Sequence, residues 1–373
     1  MKRDLFLKLF ISTTLTTTVG FVTSSCTLFQ GNEPTNAPQT INVGTILGLS
    51  GEGAVYGEKM KRGFEFAIET NNNLPSTTAK NKKFKLVIED SQFSPAKAVS
   101  SYQKLTGVQG IKVLVGVTGS KNALQVCSIA KADNVVIIDA LSTAPKISSE
   151  CGSNYFRVIA SDALAGKYNV DWALESGMKK PVIVYIEDDW GTSYRDSTLK
   201  YLTQKGFTNI PVYGIKEGDR DFRTQIEKIK GVSPDTVFLL IYAKSGSGFM
   251  QQLRQADVKA TAYGSDNLSS PEFAAAGSEV VEGVKVALPA PSQGASLDDF
   301  TKQYKAKYGE EPDAVLIKSY DAMGVTITAI DKVGNDAVKI RDYLKSPDFQ
   351  YQGISGVIKF DEKGDLVSQQ YSR

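Results

Sequence analysis

Five segments place hydroxyls, carboxylates and aromatic rings directly after apolar runs: LSGEGAVYGE at 49–58, VGVTGSKNA at 115–123, DALSTAP at 139–145, EDDWGTSY at 187–194 and AYGSDNLSS at 262–270. In the second, Ser120 stands where a helix is expected to begin, so its hydroxyl and the unpaired amides of a helix start suit an anion such as a carboxylate. Thr143, preceded by Ser142, offers the same chemistry in the third segment, and Leu141 adds a backbone carbonyl for an ammonium. Asp266 supplies the negative charge that a buried ammonium needs. Taken singly, each is an ordinary cap or turn residue. Brought together they would hold both ends of a zwitterion.

Other chemistries fit less well. Gly51, Gly53 and Gly57 follow a strand, but their G-x-G-x-x-x-G spacing is not the dinucleotide pattern, and Glu52 would face an anionic pyrophosphate. A loop shaped for close backbone approach is the better reading. Gly246 and Gly248 in KSGSGFM would nest a phosphate beside Lys244 only in a special geometry; a flexible connection into the following helix is expected. The chain contains no histidine. That removes the commonest general base and transition-metal ligand, and with them Ser-His-Asp and Cys-His hydrolases. No catalytic residue, metal or cofactor is expected, and the reading is not an enzyme.

The elements that must position these groups follow from periodicity. The 373 residues suffice for two domains, and a composition 23% charged and 41% hydrophobic is that of a globular protein. Short continuous apolar runs (INVGTILGL from 41, FKLVIED from 84, KVLVG from 112, NVVIIDA from 134, PVIVYIED from 181, TVFLLIY from 236, GVKVAL from 283) alternate with segments of helical spacing. That pattern predicts parallel sheets covered on both faces, an α/β doubly wound architecture, repeated before and after about residue 160 as two lobes. Ligands of such sheets bind beyond the carboxyl ends of the strands.

Residues 1–25 have a basic start (Lys2, Arg3, Lys8) followed by an uncharged, moderately apolar run ending in small residues before Cys26. They read as an export signal and are too short and Thr-rich for a membrane span. The small residues before Cys26 are similar to the lipobox of bacterial lipoproteins, with Thr23 where Leu is usual; Cys26 is then the lipidation site, and the alternative is a plain secretory signal. Residues 26–40 read as a flexible tether. Without residues 1–25 the chain has 40 bases and 40 acids, which argues against a nucleic-acid partner. Cys127 and Cys151 then remain as one pair, read as a structural disulfide in an oxidising compartment.

The segments INVGTILGLSGEGAVYGEKMKRGFEFAIE, LSTAPKIS, YIEDDWGTSY and FDEKGDL, in this order, resemble periplasmic substrate-binding proteins of the leucine/isoleucine/valine-binding family, over residues 41–373. STAP and GSD are also similar to the ligand domains of metabotropic glutamate receptors. The resemblance implies the type I periplasmic-binding fold: two Rossmann-like lobes joined by three crossovers, one formed by 41–160 and 289–352, the other by 161–288 and 353–373. It implies that Ser120 and Thr143 hold an α-carboxylate, and that the Leu141 carbonyl, Thr143 and Asp266 hold an α-ammonium. Trp190, in place of a usual Tyr, and Tyr242 would close over the ligand, and Tyr56 would line its side-chain pocket. Lys121 or Lys244 would favour an acidic side chain if they pointed inward. Asp139 stands where the family is commonly neutral and is read as a hinge acid satisfied by backbone amides. The implied function is capture of an amino acid for an ABC permease by a lipid-anchored, extracytoplasmic monomer. The alternatives are an amide or urea binder and a ligand sensor for a signalling partner.

Overall fold

The computed structural model describes residues 38–73, 82–290, 295–367 and 369–373; the signal, the Cys26 lipidation site and the tether to residue 37 lie outside the described residues. Ten strands form two five-stranded parallel sheets. The first contains β1 (Gln39–Leu47), β2 (Lys82–Asp90), β3 (Val113–Val117), β4 (Val136–Asp139) and β5 (Tyr155–Arg157), in the order β2-β1-β3-β4-β5. The second contains β6 (Pro181–Ile186), β7 (Val212–Ile215), β8 (Thr236–Leu240), β9 (Thr261–Gly264) and β10 (Lys285–Val286), in the order β7-β6-β8-β9-β10. The two orders are the same topology, with a switch point between β1 and β3 and another between β6 and β8. Every residue of β3, β4 and β8 is buried, as expected of strands covered on both faces.

Two local expectations meet the backbone differently. At Gly57 a Cβ would lie 2.2 Å from the Gly48 carbonyl oxygen, so the glycine segment after β1 is built for close backbone approach. KSGSG, by contrast, is no flexible connection. Gly246 and Gly248 lie within the helix Ala243–Gln255, where a Cβ on Gly246 would meet Leu268 at 2.4 Å. Close packing against the Leu268 side chain in the turn after β9 favours glycine there, and this outweighs the helix propensity lost.

The last segment also departs from expectation. Residues 353–367 pack on the first lobe: Ile358 is buried, Phe360 stands edge-on to Phe156 (5.2 Å) and stacks on Phe349 (5.5 Å), and Asp365 pairs with Arg157 at 2.7 Å. Only the extreme C-terminus reaches the second lobe, where Tyr371 packs on Tyr168 and Arg373 pairs with Glu175. The apolar face of the hairpin Tyr351–Gly353 and Gly356–Ile358, together with Phe360, has its complement in the core beside β4 and β5.

Cys127 and Cys151 form a disulfide with Cα atoms 5.0 Å apart, tying the helix Ser120–Ala132 to the chain that follows Thr143. With the cysteines 24 positions apart, reduction is expected to lower stability by about 3 kcal/mol through loop-closure entropy of the unfolded chain. Urea denaturation with and without reductant checks this; equal midpoints would contradict it.

Candidate functional site

The loops at the carboxyl ends of β1, β3, β4, β6, β8 and β9 converge on one cavity between the lobes. It has a volume of about 40 Å³ and is lined by Tyr56, Phe93, Gly119, Ser120, Leu141, Thr143, Trp190, Tyr242, Asp266 and Asn267. Seven of the eight residues singled out from the sequence are among them. Ser142 is not.

On the first-lobe side, Gly119 adopts φ +90°, and a Cβ there would lie 2.4 Å from the Phe93 ring. This tight turn delivers Ser120 to the start of its helix. The Ser120 hydroxyl accepts from the Ala144 amide (3.1 Å), so its own proton remains to donate to a ligand.

The neighbouring loop is held by two fully buried charges. Asp139 accepts from the amides of Val117 (3.2 Å), Ala140 (2.7 Å), Leu141 (3.3 Å) and Ser142 (3.2 Å), and from the Tyr155 hydroxyl. Arg157 donates to the carbonyls of Ser142 (3.3 Å) and Ala144 (3.0 Å), to the Ser148 hydroxyl (2.7 Å) and to Asp365. The acid therefore gathers the loop's amides and the base gathers its carbonyls, which compensates the burial of both charges. Ser142 belongs to this scaffold: it is wholly buried and its hydroxyl donates to the Val117 carbonyl at 3.1 Å. Its expected place in the ligand dock is corrected, because the amide and carbonyl on either side of it are both anchored inward.

From the second lobe, Trp190 stacks on Tyr242 with ring centres 4.8 Å apart. Tyr242 donates to Asp188 at 2.6 Å, and Asp188 caps the Trp190 helix through the Gly191 amide. The Trp190 indole N–H donates to Asp162 at 2.6 Å, and the Thr143 hydroxyl donates to the same oxygen across the cleft at 2.6 Å. Burial and then the Asp266 charge push the Asp162 carboxyl up to about 8, and burial pushes Asp266 up as well. Tyr56 donates to Asn267 at 2.9 Å, joining residues 211 apart in sequence. Among the described residues no cluster of His, Cys, Asp and Glu suits a metal ion.

The profile of the periplasmic binding protein family matches residues 40–372. The chain belongs to this family. Among its relatives, the Leu/Ile/Val-binding protein homolog 3 of Brucella melitensis is 24% identical over 98% of this chain and 96% of that protein. The leucine-, isoleucine-, valine-, threonine- and alanine-binding protein of Pseudomonas aeruginosa is 26% identical over 88% of each. In three dimensions the chain is similar to a leucine binding protein of Thermotoga maritima (TM-score 0.78, 22% identity, 89% of this chain and 98% of that one). It is similar also to a solute-binding protein of Rhodopseudomonas palustris in complex with benzoate (TM-score 0.79, 23% identity, 89% and 92%). The two doubly wound lobes are those of the type I periplasmic binding proteins, an exported and generally non-enzymatic class.

Three cavity residues of this periplasmic binding protein, and one behind them, escape a reading by strand ends. Phe93 and Gln92 both take left-handed backbone (φ 56° and 49°), held by Asp90, which accepts from the Gln92 and Leu49 amides. Nothing in SQFSP signals that strain. Gly119 and Asn267 flank singled-out residues and were legible only as turn formers. Asp162 reads as one more acid at a helix start, and its position near Asp266 depends on its helix packing against β9, where Asn169 donates to the Gly264 carbonyl at 3.0 Å.

Lys121 does not face the cavity as an anion receptor: it pairs with Glu217 of the second lobe and lies 4.1 Å over the Phe93 ring. Lys244 is exposed. Lys146 reaches Asp189 across the same cleft at 3.5 Å. The Lys146–Asp189 pair is half-exposed and the Lys121–Glu217 pair is partly buried; such pairs near solvent favour the closed arrangement only weakly. Glu217→Gln is expected to weaken ligand binding about two- to fivefold at low salt and to do little at high salt, where the pair is already screened. Calorimetry at two ionic strengths measures the difference.

Proposed function

We propose that this periplasmic binding protein captures an aliphatic amino acid between its lobes and delivers it to an ABC permease, working outside the cytoplasm from a lipid anchor at Cys26. The observation that carries this reading is the opposition of Ser120 and Asp266 across one cavity, with the amides of a 13-residue helix start on the Ser120 side. An α-carboxylate is stabilised by the Ser120 hydroxyl and the positive end of that helix. An α-ammonium is stabilised by Asp266, helped by the Leu141 carbonyl. Burying a zwitterion forfeits hydration at both ends, and this arrangement returns a charge-assisted bond at each.

An adjoining cavity shares Tyr56, Leu141, Asp266 and Asn267 with the dock and continues along Ile159, Leu288, Pro289 and Val315. This lining is mostly apolar, though Lys59, Asp313 and Lys318 also border it, and it suits an aliphatic side chain, in line with the ligands in the relatives' names. Trp190, Tyr242 and Asn267 come from the second lobe, so they contact the ligand only on closure and shift the population toward the closed form. A permease would read that closed shape.

The neighbour holding benzoate raises a second reading, capture of an organic acid without an ammonium. Asp266 speaks against it, because a carboxylate beside an anion costs rather than contributes binding energy. Titration calorimetry with the twenty amino acids, benzoate, acetamide and urea separates the readings. Binding of leucine, isoleucine or valine is expected, with loss on N-acetylation. Binding of benzoate or urea with no response to any amino acid would overturn the proposal.

A further inference from the structure

Asp162 and Asp266 put two carboxylates at one cleft with no cation between them. Asp162 is the first residue of the helix Asp162–Glu175 and is 3% exposed. Its Oδ2 takes both the Thr143 hydroxyl and the Trp190 indole N–H. Asp266 opens the turn after β9 and lines the cavity itself, accepting from backbone amides of its own turn. Of the titratable and charged groups around the pair, Lys59, Asp313 and Lys318 line the adjoining cavity together with Asp266, Lys59 being paired with Asp313 and Lys318 donating to Gln369 at 3.2 Å; Tyr194 and Tyr371 are neutral phenols whose own ionisation both acids oppose. Arg157 is the one cation that Asp162 feels, and its guanidinium is committed to Asp365, Ser148 and two carbonyls. Among the described residues no lysine or arginine forms an ion pair with either acid.

Two carboxylates that share a desolvated site without a counterion cannot both ionise cheaply, and one keeps a proton. An arriving ammonium supplies the missing positive charge. We propose that Asp162 and Asp266 hold one proton between them in the unliganded cleft, and that the ammonium of the amino acid displaces it to solvent. This inference rests on the amino-acid reading above. The charges balance: a pair of net charge −1 plus a zwitterion becomes a pair of −2 against the ligand's +1, and one proton leaves. The two groups titrate as a unit, and the proton resides on Asp162, whose Oδ2 is occupied as an acceptor while Oδ1 is left to carry it. Asp162 is thus a positioning and proton-holding residue; Asp266 is the group that touches ligand.

The same arrangement sets the pH dependence of stability. The Asp162 carboxyl is raised on folding, so between about pH 4 and about 8 the folded chain holds a proton that the unfolded chain has lost. Stability therefore falls as pH rises through that window.

Three measurements test the proposal. In the unliganded protein labelled with ¹³C at the aspartate carboxyls, one resonance should titrate near pH 8, be absent in Asp162→Asn and move to lower pH in Asp266→Asn. Calorimetry of L-leucine at pH 7 in buffers of different ionisation enthalpy should report close to one proton released per ligand; if leucine is silent, the amino acid found by the panel takes its place. Affinity should rise up to about tenfold per pH unit from 6 to 8, as that proton count requires. Asp162→Asn, which keeps an oxygen for Thr143 and Trp190, should flatten both the affinity and the stability profile. Aspartates that all titrate in the ordinary range, or amino-acid binding without proton release, would overturn the inference and leave the amino-acid reading intact. A high-titrating pair in a protein that binds no amino acid would instead refute the reading.

Discussion

Asp266→Asn is expected to weaken amino-acid binding by about a hundredfold or more, while leaving the unliganded protein at least as stable as wild type. The loss follows from the charge-assisted bond to the ligand ammonium: removing one partner of a buried charge pair costs about 2–5 kcal/mol, and 1.4 kcal/mol is a factor of ten. The stability side has the opposite sign, because the neutral amide relieves the repulsion that Asp266 exerts on Asp162 in the empty cleft. A binding residue whose removal stabilises the apo protein is the signature of a site strained for function. Calorimetry for affinity and thermal unfolding without ligand measure the two halves. Unchanged affinity would remove Asp266 from the ammonium site, and a large drop in apo stability would mean that its carboxylate has a structural role.

The second large effect is expected at Arg157. Alanine there should lower stability by about 3–5 kcal/mol, because it strands the Asp365 carboxylate and two buried carbonyls at once. Arg157 holds loop 142–148 through its carbonyls while Asp139 holds it through its amides. Releasing one side should also displace the Ala144 amide that orients Ser120. Lysine would keep the charge but not the fork that reaches four partners, so Arg157→Lys should recover only part of the loss. Urea denaturation gives the stability change. A cost under about 1 kcal/mol would show that the loop is held by packing rather than by this pair of charges.

These two residues mark what could and could not be read from the chain. Asp266 stood out because an acid after an apolar run and before a turn is a local pattern, and strand ends in parallel sheets face the ligand side. Arg157 carried no such mark, since nothing near it in sequence shows that Asp365 lies 2.7 Å away. Asp139 was legible as an acid satisfied by amides, and the structure names four of them. Ser142 misled because alternation along a loop does not say which side chain turns inward once both flanking peptide groups are anchored. Residues 353–367 misled because their short apolar hairpin has no periodicity to declare which lobe it completes.

The sequence by itself determined the strands, their parallel arrangement and the class of chemistry at their ends, because apolar runs, helical spacing and turn residues act over a few positions. It likewise determined what the protein cannot do with histidine. Only the tertiary structure decided which of those ends meet. Tyr56 touches Asn267 across 211 residues, Thr143 of one lobe bonds to Asp162 of the other, and the repulsion between Asp162 and Asp266 exists only because the helix Asp162–Glu175 packs on the end of β9, where Asn169 donates to the Gly264 carbonyl. Distance in the fold sets electrostatic coupling and burial, and neither is carried by the spacing of residues along the chain.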